Sequence, residues 1–128
     1  MSRRLIELGV PEGWFAMAFS RDLRPGGVTS GILAGQPIVV WRTASGQLGA
    51  SRAYCPHLGA HLGQGGTVEG ETLRCPFHGF RFGLDGGCVA TGYDTRPPQA
   101  ATLTTIPVID RHGAVMAWHH PCGHPPTW

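Results

Sequence analysis

Lysine is missing altogether from this chain of 128 residues; all ten basic side chains are arginines, scattered from Arg3 to Arg111. Charge of either sign is scarce, at 14% of residues, and the formal net charge is only +2 with histidine neutral. A chain with no basic cluster carries no electrostatic footprint for nucleic acid. Long apolar runs are lacking too. No stretch approaches the roughly 20 residues that a spanning helix needs. Glu7, Pro11 and Glu12 interrupt the segment after Arg3 and Arg4, so the N-terminus does not read as a signal peptide. The expectation is a cytoplasmic, reducing compartment without a membrane span. Helix is the last absence: no window offers three capped turns with an apolar stripe.

What the chain has instead is 20 glycines and 11 prolines without a fixed period, a load that suits tight turns between short strands. Its length fits one domain over residues 1–128. Residues 14–19 are aromatic and apolar, and residues 21–27 form a turn. Residues 28–33 and 37–42 are expected strands, the second marked by Val39, Val40 and Trp41. Residues 47–54 are its hairpin partner. Residues 67–69 and 72–74 make a shorter hairpin, Phe80 and Phe82 alternate on a half-buried strand, and Asp85-Gly86 signals a turn. After a Pro-rich link, residues 103–110 and 114–119 are expected strands joined by Arg111, His112 and Gly113. The plan is all-β. A base of residues 10–54 and 88–120 carries a glycine-rich subdomain, 55–87, inserted into it.

The chemistry is concentrated in that insert. Cys55 and His57 stand one residue apart, and Cys75 and His78 follow after seventeen residues with two residues between them. Four cysteines would permit disulfides, but two of them have a histidine close behind, which favours metal ligation. On tight glycine-bearing loops the sulfur and nitrogen ligands can converge. Soft thiolates with imidazoles suit either an iron–sulfur centre or zinc. A two-Cys-two-His zinc finger usually pairs like with like at short spacing. Here each loop carries one of each, a split that would serve a binuclear cluster with both sulfurs on one iron and both imidazoles on the other.

The loops Cys55-Pro56-His57-Leu58-Gly59-Ala60-His61-Leu62 and Cys75-Pro76-Phe77-His78-Gly79-Phe80-Arg81-Phe82 resemble the two signature loops of Rieske proteins. The resemblance implies an antiparallel β sandwich with a cluster-binding subdomain of two loops. It also implies a [2Fe-2S] cluster with Cys55 and Cys75 on the inner iron and His57 and His78 on the outer one. Two ferric ions, two sulfides and two thiolates sum to zero charge, so neutral imidazoles leave the oxidised centre uncharged and easier to reduce. Reduction should then raise the basicity of the imidazoles and couple electron uptake to a proton.

Respiratory and photosynthetic Rieske proteins carry an extra cysteine in each loop, where this chain has Ala60 and Phe77. They also place hydroxyl donors where Phe80 and Phe82 stand. Fewer donors to sulfur imply a potential low in the Rieske range. The flanks point elsewhere. Residues 11–26, Gln36 to Arg42, and Arg111 to His120 with Pro125 to Trp128 are similar to the N-terminal domain of Rieske non-haem iron oxygenases, nearest the ketosteroid hydroxylase and cholesterol desaturase branch. That resemblance implies electron transfer to an oxygenase acting on a steroid-like or other apolar substrate. A ferredoxin or NAD(P)H-dependent reductase would be the donor, a mononuclear-iron domain the acceptor, and a trimer the full-length assembly. The alternative is a stand-alone Rieske ferredoxin; a structural zinc protein is a third reading.

In that family the catalytic domain follows the Rieske domain, and a chain ending at Trp128 is expected to oxidise no substrate alone. His112, His119, His120 and His124 with Asp110 could suggest an iron triad, but they fall in and after an expected hairpin. His61 is expected to pack or hydrogen-bond rather than ligate. Pro56 and Pro76 should stiffen the loops. Gly59, Gly79 and Gly87 should permit positive φ or close backbone approach. Cys88 and Cys122 are expected as free thiols, Trp14, Trp41 and Trp118 as core aromatics, and Tyr93 as a cover for the core or for the cluster's flank.

Overall fold

The computed structural model describes residues 11–55, 61–76, 79–90 and 102–128. His57 and His78, together with Pro56, Gly59, Ala60, Phe77 and Tyr93, lie outside the described residues. The described residues form ten strands, all antiparallel, and one 3-10 turn at Ser20–Asp22.

Three sheets share the strands. The first pairs β1 (Gly13–Phe19) with β10 (Ala114–His119) and β10 with β9 (Val108–Arg111). The second runs β2 (Val28–Leu33), β3 (Gln36–Arg42), β4 (Leu48–Arg52). The third runs β5 (Thr67–Glu69), β6 (Thr72–Arg74), β7 (Arg81–Phe82), β8 (Cys88–Ala90). In β3 the period of two is satisfied on both faces, which is why four consecutive apolar residues are buried there. Ile38 and Val40 enter a core shared with Leu33, Ala50, Val115 and Ala117, joining the first two sheets. Val39 and Trp41 face the other way, into a core with Cys55, Leu62, Leu73, Cys75, Phe82 and Leu103. The central strand thus belongs to the sandwich and to the cysteine-bearing region at once.

Trp41 is fully buried because its cross-strand partner is Gly49: a Cβ at position 49 would stand 2.5 Å from the indole ring. Among the described residues its indole N–H has no acceptor, a cost of about 1–3 kcal/mol that burial of so large a ring offsets. Trp118 is buried as expected. Trp14 is only half-buried and meets Trp118 edge-on at 5.3 Å between centroids.

The expected strand over 103–110 is shorter in the structure. β9 begins at Val108, and residues 102–107 form a seam that bonds to all three sheets in turn. Leu103 N–H donates to Gly86 O (2.8 Å), Arg52 N–H donates to Thr104 O (2.9 Å), Ile106 N–H donates to Ala50 O (2.8 Å), and Trp118 N–H donates to Pro107 O (2.9 Å). A residue run that changes partner every two or three residues cannot hold one ladder, and Pro107 has no N–H to extend one. Positive φ falls on Gly86 (+86°), not on Gly87; a Cβ at Gly86 would lie 2.4 Å from Leu103 O, so the seam needs glycine there.

Polar ties lock the periphery. The Arg42 guanidinium donates to Leu23 O (2.7 Å) and Gly46 O (2.9 Å) and pairs with Asp110 at 3.3 Å, linking the first two sheets. The turn after β3 is tied to the turn after β5: Ala44 N–H donates to Gly70 O (2.8 Å) and Ser45 N–H to a Glu71 carboxylate oxygen (3.0 Å). The Ser45 hydroxyl, then its amide, hold the Glu71 carboxyl below its ordinary range. A depressed folded value adds stability that is present above the unfolded glutamate value and is lost as pH falls through the folded one. Glu71→Gln is therefore expected to melt slightly below the wild type at neutral pH and to converge with it on acidification past the glutamate range. Parallel melting curves across that range would contradict this.

Candidate metal centre

Each cysteine loop is closed at its base by the backbone. Cys55 leaves β4 three residues after Arg52, and Leu62 N–H returns to Ala53 O at 2.7 Å. Tyr54 and His61 bridge across the same neck, their rings edge-on at 5.3 Å. Cys75 directly follows β6, and its N–H donates to Phe80 O at 2.7 Å. Ligands on loops pinned at both ends are positioned by the sheets rather than by the loops' own stiffness.

The two loops also meet. Gly65, at φ +96°, lies so close to Pro76 that a Cβ would stand 3.2 Å from the proline ring. Both thiols end in one buried cluster with Leu62, Leu73, Phe80 and Phe82, Cys55 3% exposed and Cys75 1%. Free Cys packs well as a small hydrophobe; two of them in one buried cluster, each with a histidine at short spacing in the sequence, also have the chemistry of metal donors. These sulfurs fit the inner half of a binuclear cluster, dry and fixed. In the sequence His57 follows Cys55 by two residues and His78 follows Cys75 by three.

His61 is engaged otherwise: its Nδ1 accepts the Gly63 N–H at 3.0 Å while its ring packs on Tyr54. Cys88 packs against the same buried cluster and donates weakly to Ala90 O at 3.4 Å. Burial pushes its thiol up; a backbone hydrogen bond at Ala90 acts the opposite way, and the nearby Cys55 charge adds to the rise. Cys88 and Cys122 are both free thiols, and Cys122 is exposed.

The C-terminal histidines gather elsewhere. His119, His120 and His124 line a groove of about 430 Å³ with Gln36, Arg52 and Thr104, and neither Cys55 nor Cys75 reaches it. His120 stacks on His124 at 4.4 Å, its Nε2 is 3.4 Å from Glu12, and its Nδ1 accepts the Cys122 N–H at 2.9 Å. Asp110 is held by Arg42 and the Ser20 hydroxyl, and His112 sits at the β9–β10 turn. Among the described residues no three His, Cys, Asp or Glu side chains stand together in a metal-binding arrangement.

Sequence reasoning missed Arg74. Its guanidinium occupies the space over Gly79 in the second loop: a Cβ at Gly79, where φ is +69°, would lie 3.0 Å from one Arg74 terminal nitrogen and 3.2 Å from Nε. Spacing alone could not reveal which of the scattered arginines would fold over a ligand loop.

Comparison with known proteins agrees with this geometry. The Rieske [2Fe-2S] domain family matches residues 13–107. Cholesterol 7-desaturase of Xenopus laevis is 42% identical over 119 residues, covering 92% of this chain and 26% of that protein. The oxygenase component of 3-ketosteroid-9-alpha-monooxygenase of Rhodococcus rhodochrous is 35% identical over 114 residues, covering 89% of this chain and 29% of that protein. The chain thus spans between a quarter and a third of the length of these relatives. Among solved structures, the reduced complex between oxygenase and ferredoxin in carbazole 1,9a-dioxygenase shares the fold, with a TM-score of 0.75 at 24% identity over 88% of this chain and 30% of that one. The chain belongs to the Rieske [2Fe-2S] domain family, and its cofactor is a [2Fe-2S] cluster. Among the described residues no helix is long and apolar enough to cross a membrane.

Proposed function

We propose that this chain carries single electrons through a Rieske centre held by Cys55, His57, Cys75 and His78, as the electron-input domain of a non-haem iron oxygenase. The observation that carries the reading is the convergence of Cys55 and Cys75, from two loops each closed by a backbone hydrogen bond, in one buried cluster. Residues 55–87 are the proposed cluster-binding subdomain and the flanking strands its base. The bound cluster supplies one-electron redox chemistry at a site whose outer ligands accept or release a proton. The chain's own part is to keep the two sulfurs dry and fixed.

The relatives' names, a cholesterol desaturase and a ketosteroid monooxygenase component, support a steroid-like or other apolar substrate for the whole oxygenase. A ferredoxin or an NAD(P)H-dependent reductase is the proposed donor, a mononuclear-iron domain the acceptor, and a trimer the assembly. The oxygenase–ferredoxin complex among fold neighbours supports a docked donor of this kind. Two cysteines as cluster ligands and two, Cys88 and Cys122, as free thiols suit a reducing cytoplasm.

The test is composition first: two irons and two acid-labile sulfides per chain are expected, and zinc without sulfide would overturn the assignment. His57→Cys or His78→Cys should then alter the visible spectrum and lower the potential by on the order of 100 mV, because a further thiolate adds negative charge. His61→Ala should leave the spectrum nearly unchanged. Cluster loss in the His61 variant, with normal incorporation in His78→Ala, would refute the ligand set.

A further inference from the structure

Arg74 ends β6 and immediately precedes Cys75, and its half-exposed side chain lies beside Gly79. The guanidinium turns over the second loop and fills the place where any other residue at 79 would carry a Cβ. Residue 79 is the direct neighbour of His78 in the chain. Glu69, on the adjacent strand β5, stands 3.7 Å from Arg74 Nε and 3.8 Å from an Arg81 terminal nitrogen, so one carboxylate is shared between two cations. The three side chains keep 41–47% exposure. The local sum is one net positive charge, held in close contact with the loop at Gly79.

We propose that Arg74 tunes the reduction potential of the cluster, with Glu69 as its counterweight. The proposal rests on the cluster reading above. When a one-electron donor is oxidised, one ferric ion of the centre becomes ferrous, and the centre gains one negative charge. Arginine stays protonated throughout. Its fixed positive charge interacts more favourably with the reduced centre than with the oxidised one, so it raises the potential. Glu69 has the opposite sign and lowers it. The guanidinium's half-exposed position keeps the effect moderate and sensitive to ionic strength. With Phe80 and Phe82 where other Rieske proteins have hydroxyl donors, a fixed cation is a second means of stabilising the added electron.

The experiment measures the reduction equilibrium of the cluster-loaded chain against a redox dye, at low and high salt. Arg74→Gln should shift the equilibrium toward the oxidised form by roughly three- to tenfold at low salt, where tenfold corresponds to 59 mV for one electron. Glu69→Gln should shift it toward the reduced form. Arg74→Lys, which keeps the charge, should stay within about twofold of the wild type. Both shifts should shrink as salt is raised. Arg111→Gln makes the same charge change on the first sheet and should leave the equilibrium unmoved. Should Arg74→Gln fail to load, the Glu69→Gln shift still decides the question, since a purely structural tie gives no shift of opposite sign. A wild-type chain that takes up no iron and sulfide would overturn the cluster reading and this proposal with it. A loaded Arg74→Gln matching the wild type, an unshifted Glu69→Gln, or an Arg111→Gln that moves as far as Arg74→Gln would overturn this proposal alone.

Discussion

Serine at position 75 is expected to abolish cluster uptake, leaving less than about a tenth of the wild-type iron and sulfide after reconstitution. Cys75 is 1% exposed, at the base of a loop that the β6–β7 hairpin holds in place, so its sulfur has a fixed position. A serine hydroxyl is nearly isosteric but far harder to deprotonate, and its oxygen is a poor match for iron–sulfide chemistry. The apo chain should remain folded, because the change removes little volume; burying a hydroxyl there costs at most about 1–3 kcal/mol. Cys122→Ser, in the exposed tail, and Cys88→Ser, a neighbour of the centre, should both load normally. Iron and acid-labile sulfide analysis beside a far-ultraviolet spectrum separates the outcomes. A fully loaded Cys75→Ser, or an empty Cys88→Ser, would mean that the sulfur ligands have been misassigned.

The parts of this molecule that were legible in the sequence are those whose cause is local. The ligand pattern is written into a few residues of each loop. The run with Val39, Val40 and Trp41 announces the strand β3, whose burial on both faces the structure adds, and the short hairpin of β5 and β6 stands where it was expected. Longer-range placements were not legible. Residues 103–107 read as the first part of a strand over 103–110, but backbone groups there are claimed by Gly86, Arg52 and Ala50, which are distant in sequence. Of the two alternatives expected for Gly87, positive φ or close backbone approach, the positive φ falls on its neighbour Gly86, where the Leu103 carbonyl comes close. Arg74 was one scattered arginine among ten; its contact with Gly79 depends on the path of a long side chain across a folded loop. His57 and His78 rest on the motif alone.

Alanine at position 66 should be the most destabilising single methyl in the chain's cluster-binding region. Gly66 has no positive φ, so its necessity is one of space rather than backbone conformation. A Cβ there would lie 2.0 Å from the Leu62 carbonyl oxygen and 3.0 Å from its carbon. Neither can yield easily. Leu62 is fully buried, and its N–H closes the first loop on Ala53. To admit the methyl, the turn from 62 to 66 must open, drawing Leu62 out of the core and pulling Gly65 away from Pro76, the contact that holds the two ligand loops together. Overpacking against backbone, with loss of a buried leucine's packing, is expected to cost about 3 kcal/mol or more, or roughly 10 °C in melting temperature for a domain of this size. Gly70→Ala supplies the contrast. Gly70 has φ +60° and nothing within 4 Å of its Cβ position, so alanine there costs only the left-handed conformation, about 1–2 kcal/mol. Melting both apo variants beside the wild type, then measuring iron uptake, tests the mechanism as well as the ranking. Gly66→Ala should lose cluster occupancy together with stability, whereas Gly70→Ala should lose a little stability and keep its cluster. A Gly66→Ala chain that melts within a degree or two of the wild type would show that the first loop is slack, and that the two cysteines are not held in place by the packing of Leu62.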